Sequence, residues 1–410
     1  MAHTSETGSA VRLCAVGDIK IERPDPQTPF EPGMPVFRAA DVLFGNCEAV
    51  YADNVSLAPS ASIPVLCTPE HGKGLGYAGF DVMSMANNHT VDGGHEGLME
   101  TLEGLHQQNI ATCGAGAEVR SARAPAILER GGVKIAFLAY SCVYPAGYEA
   151  REDRPGLAAI RTHTIYYPSE MDAFQSGGAP EQATVVNPVD LRTVCREIKE
   201  ARQVADLVVV SVHSGDGSRP AVILDYERQL ARAAVDAGAG LYLAHHHHML
   251  RGAEIYRGAP IFYGLNHYVF DIPNFEDQVP PSIMARMAEH AGEYGYGPRE
   301  GYPLLPLHED ARMTAIVVCD LDKTGVLRAG VVPCVLNPEG QPVPYDVESE
   351  QGSTVVDYLR RITKEAGVDL EGHWWPRGWS VGGFPVLELR PGPAADDQVS
   401  AATLAEVSNG

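Results

Sequence analysis

The sequence has few cationic residues and lacks the segments that mark several common classes of protein. Lys and Arg number 31 against 53 Asp and Glu, which gives a formal charge of −22. Nucleic acids and anionic membrane surfaces would repel such a chain, so we expect neither as a partner. The chain has no apolar run of the roughly 20 residues that span a bilayer. Its first residues show neither the basic nor the apolar region of a secretory signal. We therefore expect a cytoplasmic protein.

The eight cysteines include no CxxC pair, which leaves no sign of a cysteine-based metal or redox motif. Several of them lie within apolar runs, such as RLCAV and IVVCDL. This placement favours buried, reduced thiols over a framework of disulfides. Reduced thiols are also what a cytoplasmic location would require.

Short apolar runs alternate with amphipathic stretches of helical length. Strands are predicted near residues 11–16, 42–44, 82–85, 110–112, 133–140, 207–212 and 241–244, and helices near 95–108, 190–204, 225–237 and 353–366. Two hairpins, at 254–263 and 315–332, add antiparallel pairs to this pattern. The sequence therefore predicts an α/β fold with mixed sheets. Two long segments, 144–188 and 272–310, show little periodicity, and loops of this length are usually lids or disordered.

Polar residues gather where five of the predicted strands end. They are Asp18, Glu48, the segment ANNH at 86–89 with Asp92 after it, His213, and the run of four histidines at 245–248. Each is weak evidence alone, because an Asp after a Gly is usually a turn or cap and a single His is usually structural. Five such ends in order are harder to explain as caps. Since the carboxyl ends of strands form the binding crevice of α/β sheets, we predict a metal site there.

The predicted ligands combine carboxylate, amide and imidazole groups, a set that suits Mn, Fe or Zn. A carboxylate can bridge two ions about 3.5–4 Å apart, as in two-metal hydrolytic sites. His246 and His248 would share one side of an extended segment, so both could face one cluster. The sequence therefore predicts one or two divalent metal ions.

The ordered motifs GD, N-x-E, ANNH-x-x-D-x-G, HxG and (G/A)-x-H-x-H, with IFYGLNHYVFD downstream, resemble the bacterial capsule-synthesis family of the CapA type, named for poly-γ-glutamate synthesis. That family belongs to the calcineurin-like metallophosphoesterase superfamily. The resemblance covers residues 11–340, with predicted substrate or lid insertions at 144–188 and 272–310. It leaves 341–410 as a C-terminal appendage with one helix and a flexible tail. It implies a four-layer α/β/β/α sandwich with its metal site at the strand ends.

The resemblance also implies a role for each motif residue. The metal ligands would be Asp18, Glu48, Asn88, His213, His246 and His248, and Glu48 would bridge two ions. His89 would act as the general acid, with Asp92 holding its orientation. The first motif of the superfamily is Asp-x-His, whereas this chain has Lys20 at the last position. This departure leaves open whether the site holds one ion or two.

Three further residues are candidates for contact with the substrate. His267 lies in GLNHY, where the family commonly has SLGNF, and it could be a ligand, a proton donor, a substrate contact or a structural histidine. Arg161 and Arg219 could bind an anionic substrate, although each could instead form a salt bridge at the surface. The roles of His245 and His247 stay open.

The leading expectation is a soluble, metal-dependent hydrolase. A metal-activated hydroxide would attack an amide, lactam, ester or phosphoester bond of a small anionic molecule, and His89 would protonate the leaving group. The alternative is a non-catalytic protein of capsule synthesis, or a polymer-binding protein, that keeps a metal site. The negative charge disfavours a nucleic-acid phosphodiesterase. An oligomer is compatible with the sequence.

Overall fold

The computed structural model describes residues 10–169, 179–291, 297, 299–366, 373–375 and 378–390. The strands are β1 Val11–Lys20, β2 Val42–Cys47, β3 Val50–Tyr51, β4 Leu66–Cys67, β5 Val82–Ser84, β6 Ala111–Cys113, β7 Ala115–Gly116, β8 Ala126–Arg130, β9 Val133–Ser141, β10 Gly156–Leu157, β11 Thr162–Tyr167, β12 Glu181–Val186, β13 Leu207–His213, β14 Leu241–His245, β15 Ala253–Tyr256, β16 Ala259–Phe262, β17 His267–Phe270, β18 Met313–Asp322, β19 Gly325–Leu336, β20 Pro342–Pro344, β21 His373–Trp375, β22 Ser380–Val381, β23 Phe384–Pro385 and β24 Leu387–Arg390. The helices are α1 Met34–Phe37, α2 Pro69–Ala78, α3 Gly94–Gln107, α4 Val119–Ala122, α5 Pro188–Ala201, α6 Asp225–Ala237, α7 Phe275–Gln278, α8 Pro281–Ala291 and α9 Glu350–Glu365, with 3-10 helices at Thr28–Gly33 and Glu309–Arg312.

Two mixed sheets contain most of the strands. The larger has ten strands, in the order β21-β24-β19-β18-β1-β2-β5-β6, with β17 also beside β1 and β20 beside β19. The smaller has six strands, in the order β15-β16-β14-β13-β9-β8. The strands β1, β2, β5 and β6 run parallel to one another, whereas β18 and β19 are antiparallel. The predicted α/β fold with mixed sheets is confirmed, and the two predicted hairpins form as β15–β16 and β18–β19.

The two sheets pack face to face between outer layers of helices. Phe44 of β2 stacks on Phe137 of β9 with ring centroids 5.5 Å apart, which joins the two sheets at their shared core. Such a pair contributes about 0.5–1.5 kcal/mol beyond its buried area. On the outer face of the larger sheet lies Leu98 of α3, and on that of the smaller sheet lies Leu230 of α6. The result is the four-layer α/β/β/α sandwich.

The central strands are covered on both faces, which explains their nearly continuous apolar sequences. β1 and β13 are buried almost throughout, including the polar residues Asp18 and His213 near their ends. Gly17 lets β17 enter beside β1, because a Cβ there would lie 2.0 Å from the carbonyl oxygen of Asn266. The Asp18 amide then donates to that oxygen at 3.0 Å, and Asp18 comes into register with His267.

The segment 144–188 is less irregular than its sequence indicates. It contains an antiparallel ribbon of β11 and β12. Most residues of β11 are exposed, so its sequence shows no alternation of buried and exposed positions. The segment 272–310 likewise contains α7 and α8.

The part of the chain after residue 340 adds strands to the larger sheet. β24 pairs with β19, and α9 packs Val355 and Leu359 into the core between the sheets. The predicted tail after Pro391 lies outside the described residues, and the domain boundaries stay a prediction. In the described part of the chain, none of the helices combines the length and the apolar character needed to cross a bilayer.

Candidate metal centre

The candidate site lies where β1, β2, β13 and β14 end. The strands of the smaller sheet place His213 opposite His245, and those of the larger sheet place Asp18 opposite Asn46. The Asn46 amide donates to Oδ1 of Asp18 at 2.8 Å, which fixes the carboxylate. The pairing of β1 with β2 is irregular between Ala15 and Asp18, a local feature common next to functional sites. The fold thus brings the predicted strand-end residues to one place.

Among the described residues, two groups of side chains have the geometry of a metal-binding cluster. One contains Glu48, His213 and His246, and the other contains Asp18, Glu48 and His248. Within each group the potential ligand atoms all lie within 4.8 Å of one another. Glu48 belongs to both groups, which is the arrangement expected of a carboxylate that bridges two ions.

Several polar atoms converge on Nε2 of His213. The side-chain oxygen of Asn88 lies 2.6 Å from it, Nδ1 of His246 3.1 Å, and Oε1 of Glu48 3.4 Å. One imidazole nitrogen can form only one hydrogen bond, so it cannot satisfy all three neighbours. A cation among these atoms would satisfy them all. Asn88 therefore lies beside the two groups, and its role as a ligand stays a prediction.

The carboxylates of the site are buried and poorly compensated by the rest of the protein. Glu48 is fully buried, and among the described residues neither of its oxygens accepts a hydrogen bond. Burial raises the pKa of Glu48 to about 7. Burial and the nearby charge of Glu48 raise the pKa of Asp18 well above its ordinary value. Two buried carboxylates in one cluster, compensated only in part by the charge of His89 near Glu48, favour the binding of a cation.

The histidines of the site are held in the neutral form that binds metal. Burial lowers the pKa of His213, His246 and His248 well below the ordinary value for histidine. A neutral imidazole keeps a lone pair for a metal ion. The donor set of carboxylates, an amide oxygen and neutral imidazoles therefore fits Mn, Fe or Zn.

The backbone of the histidine run is strained. His246 has φ of +101° and His248 has φ of +50°, values that residues other than Gly rarely adopt. Each such residue costs on the order of 1–3 kcal/mol, and strain of this kind clusters at functional sites. The amide of His246 donates to Oδ2 of Asp18 at 3.1 Å, which holds the run against β1.

His89 and Asp92 form a hydrogen-bonded pair beside the clusters. Nδ1 of His89 lies 2.7 Å from Oδ2 of Asp92, which also accepts from the amide of Val65 at 2.7 Å. The hydroxyl of Tyr148 donates to Oδ1 of Asp92 at 2.7 Å. Burial lowers the pKa of His89, but the hydrogen bond and charge of Asp92 outweigh it, so the pKa is raised. A raised pKa suits a histidine that donates a proton.

A cavity of about 360 Å³ opens onto this pair and onto the clusters. Its polar lining includes Asn88, His89, Asp92, His246 and His248. Both predicted insertions contribute to its walls, with Pro145 from 144–188 and several apolar residues from 272–310. The cavity therefore connects the predicted proton donor to the predicted ligands.

Lys20 occupies the last position of the Asp-x-His motif with which the sequence was compared, and it does not take over the role of a ligand. Its ammonium group donates to a carboxylate oxygen of Glu22 and to the carbonyl oxygen of Asp271. It is 2% exposed and also lines the cavity. The group of Asp18, Glu48 and His248 thus lacks the imidazole that a histidine at position 20 would supply.

The remaining histidines of the site have distinct surroundings. Nε2 of His247 lies 2.9 Å from Oε1 of Glu227, and both side chains are buried. Nδ1 of His245 lies 3.5 Å from Oδ1 of Asp18. The ring of His267 packs 5.5 Å from that of His248, behind the cavity lining.

The two arginines predicted to bind substrate lie elsewhere. Arg161 is 59% exposed and pairs with Asp190 on α5, and Arg219 is 53% exposed and pairs with Asp216. Neither lines the cavity. The salt bridges that the sequence analysis left open as an alternative are formed in both cases.

Sequence reasoning missed the residues that support the site from outside the strand ends. Asn87 donates to the carbonyl oxygen of Cys47 at 2.7 Å and so joins the ends of β2 and β5. Tyr148 and Glu227 reach the site from a loop and a helix. No local signal marks these two contacts, because each joins residues that are distant in the sequence. Asn87 was visible in the ANNH motif.

The fold and the site together define a four-layer α/β/β/α protein with a buried candidate metal centre. The chain belongs to the bacterial capsule synthesis protein family PGA_cap, whose model matches residues 12–272.

Two curated relatives illustrate the match. The chain is 30% identical to the uncharacterized protein y4sH of Sinorhizobium fredii over 305 residues, which are 63% of this chain and 66% of that protein. It is 29% identical to the PGA biosynthesis protein CapA of Bacillus subtilis over 337 residues, 81% of this chain and 70% of that protein. The match to y4sH therefore spans slightly less than two thirds of the length of that protein.

A solved structure of a hypothetical protein from Thermus thermophilus covers 79% of this chain and 98% of its own, with 15% identity and a TM-score of 0.44.

Proposed function

We propose that this protein is a metal-dependent hydrolase that cleaves an ester, amide or phosphoester bond of a small molecule. The observation that carries the proposal is the shared cavity. His89, already held by Asp92, lines the same space as Asn88, His246 and His248 of the candidate centre. A site that only stabilised the fold would have no use for a proton donor in an open cavity.

Divalent ions at such a centre lower the pKa of water toward neutrality and stabilise negative charge on oxygen. The residues that would hold them are Asp18, Glu48, Asn88, His213, His246 and His248, the members and direct neighbours of the two clusters.

In the proposed reaction, His89 gives a proton to the leaving group. Because Nδ1 is bonded to Asp92, Nε2 is the nitrogen that can face a substrate. Asp92 is itself held by Tyr148 and by the amide of Val65, so the imidazole keeps one orientation. Fixed orientation of the donor is what general acid catalysis requires.

A second candidate is a non-catalytic role in the synthesis or binding of a polymer, as the name of the Bacillus subtilis relative suggests for that protein. One observation favours it. An intact Asp-x-His motif would supply a histidine at position 20, but here Lys20 is bonded to Glu22 and Asp271. The cluster of Asp18, Glu48 and His248 therefore has one imidazole fewer with which to bind a metal.

The test is a panel of phosphomonoesters, phosphodiesters, γ-glutamyl amides and cyclic amides, each assayed with Mn, Zn and Fe. We expect turnover of at least one class that disappears with a chelator and returns with metal. Metal bound at the site with no turnover across the panel, together with calorimetric binding of poly-γ-glutamate, would support the second candidate instead.

A further inference from the structure

We infer that the substrate carries an uncharged apolar group, such as a branched alkyl chain or a phenyl ring, and that this group binds against one apolar wall of the cavity. The inference rests on the proposed function for the reacting bond. The apolar wall consists of Ile63, Phe270, Ile272, Phe275, Val279 and Leu307.

The apolar wall is built from three separate parts of the chain. Ile63 comes from the loop before β4, Phe270 to Val279 from the end of β17 and the segment after it, and Leu307 from the loop before β18. All except Ile63 are at most 9% exposed, and all belong to or pack against one hydrophobic cluster. The amide of Ile272 donates to the carbonyl oxygen of Leu304 at 2.8 Å, which ties two of these parts together. A wall held by this cluster is a preformed binding surface.

The apolar wall directly adjoins the groups that would carry out the chemistry. The ring of Phe270 lies 4.4 Å from the ring of His248, a member of the candidate centre. Val65, two residues after Ile63, donates its amide to Asp92, the partner of His89. A molecule with its reacting bond near His89 therefore has the wall within reach.

The charges around the cavity do not favour an anionic group in this place. Among the lining residues that the structure describes, Lys20 is the one with a permanent positive charge, and Glu22 already pairs with it. Arg161 and Arg219 pair with carboxylates outside the lining. A carboxylate or phosphate against the apolar wall would lose its hydration without gaining a partner, which is costly. The group that binds there is therefore uncharged.

The size of the cavity selects a small molecule. Its volume of about 360 Å³ falls at the low end of small-molecule sites, which span roughly 300–1,000 Å³. One ring or branched chain with the adjoining reactive group is the kind of molecule such a cavity accommodates.

The experiment compares the binding of benzamide and acetamide to the full chain by calorimetry. The two probes share an amide and differ by a phenyl ring in place of a methyl group. We expect benzamide to bind about tenfold more tightly or better, because the ring is removed from water against the apolar wall. Equal affinity of the two probes would overturn the inference.

A pair of matched variants locates the effect. Ile63→Trp fills the cavity from a partly exposed position, and Ile127→Trp makes the same change on β8, where the isoleucine is 46% exposed. Ile63→Trp should abolish the preference for benzamide, and Ile127→Trp should leave it unchanged. A preference that survives Ile63→Trp in a folded variant places the ring elsewhere and contradicts the inference.

The result is independent of catalysis, because only binding is measured. A clear preference for benzamide in a protein without turnover would leave the apolar wall established and remove the proposed hydrolase. Turnover without any preference for benzamide would support the proposed hydrolase and overturn the inference about the apolar wall.

Discussion

Nδ1 of His89 lies 2.7 Å from Oδ2 of Asp92. This contact determines which nitrogen of the imidazole can face a substrate, and it places a carboxylate behind the predicted proton donor. The pair is held from two sides, by Tyr148 and by the amide of Val65.

We predict that His89→Asn keeps the metal content of the protein but lowers kcat on any substrate found in the panel by about 10²–10⁴-fold, the usual contribution of general acid catalysis. Tyr148→Phe should cause a smaller loss, because Asp92 keeps its bond to Val65. Metal analysis and steady-state kinetics of both variants check this. An unchanged kcat in His89→Asn would remove this residue from the mechanism.

The metal content should depend on the residues that form the two clusters. We predict that His213→Ala and Glu48→Gln each lose most of the bound Mn, Zn or Fe, because His213 and Glu48 lie among several converging donors. The measurement is elemental analysis of dialysed protein. His106→Ala is the control, since His106 is exposed and contacts Thr112 at the surface. Wild-type metal content in both site variants would show that the ligands are wrongly assigned.

Glu227 should stabilise the fold through two separate contacts. Its Oε1 lies 2.9 Å from Nε2 of His247, and its Oε2 accepts from the amide of Leu224 at the start of α6. Glu227→Ala leaves both groups unpaired, so we predict a loss of roughly 2–4 kcal/mol in the free energy of unfolding. Denaturant unfolding measures it. Glu70→Ala, at a carboxylate that is 70% exposed, should cost less than about 0.5 kcal/mol, and equal losses in the two variants would contradict the prediction.

Asp320 should make the stability of the larger sheet depend on pH. It accepts from Arg12 at 2.8 Å on one neighbouring strand and from Arg328 at 2.6 Å on the other. Burial raises the pKa of Asp320, but the bonds from the two arginines outweigh it, so the pKa lies below the ordinary 3.8. A lowered pKa means that the stabilisation is present above pH 3.8 and is lost as the pH falls through the folded-state pKa.

The variant Asp320→Asn tests this dependence. At neutral pH it should be about 1–3 kcal/mol less stable than the wild type, because both arginines lose a charged acceptor. The difference should shrink as the pH falls below the ordinary range for Asp. Asp357→Asn, at a residue that is 78% exposed, should show little difference at any pH. A constant deficit for Asp320→Asn at all pH values would argue against the assigned pKa direction.

The sequence predicted the strand-end part of the site because that part obeys a local rule. Asp18, Glu48 and His213 each follow an apolar run, and parallel strands place their carboxyl ends at one edge. The strands themselves were predictable for a related reason. β1 and β13 are covered on both faces, so their sequences are nearly continuous apolar runs.

Contacts between residues that are distant in the sequence could not be predicted in this way. Tyr148 reaches Asp92 from a loop without periodicity, and Glu227 reaches His247 from the buried face of α6. The apolar wall combines three parts of the chain, and the sequence showed only that most of its residues fall in the long, irregular segment 272–310. Arg161 was proposed for an anionic substrate on its charge alone, and its position depends on Asp190.

The central claim is that Asp18, Glu48, His213, His246 and His248 bind metal, with Glu48 shared by two ions. The most direct test is anomalous diffraction from crystals of the full chain grown with manganese or zinc. We predict anomalous density between Glu48 and the pair of His213 and His246, with a second peak beside Asp18 and His248. Crystals that contain the metal but show no anomalous density among these side chains would contradict the account.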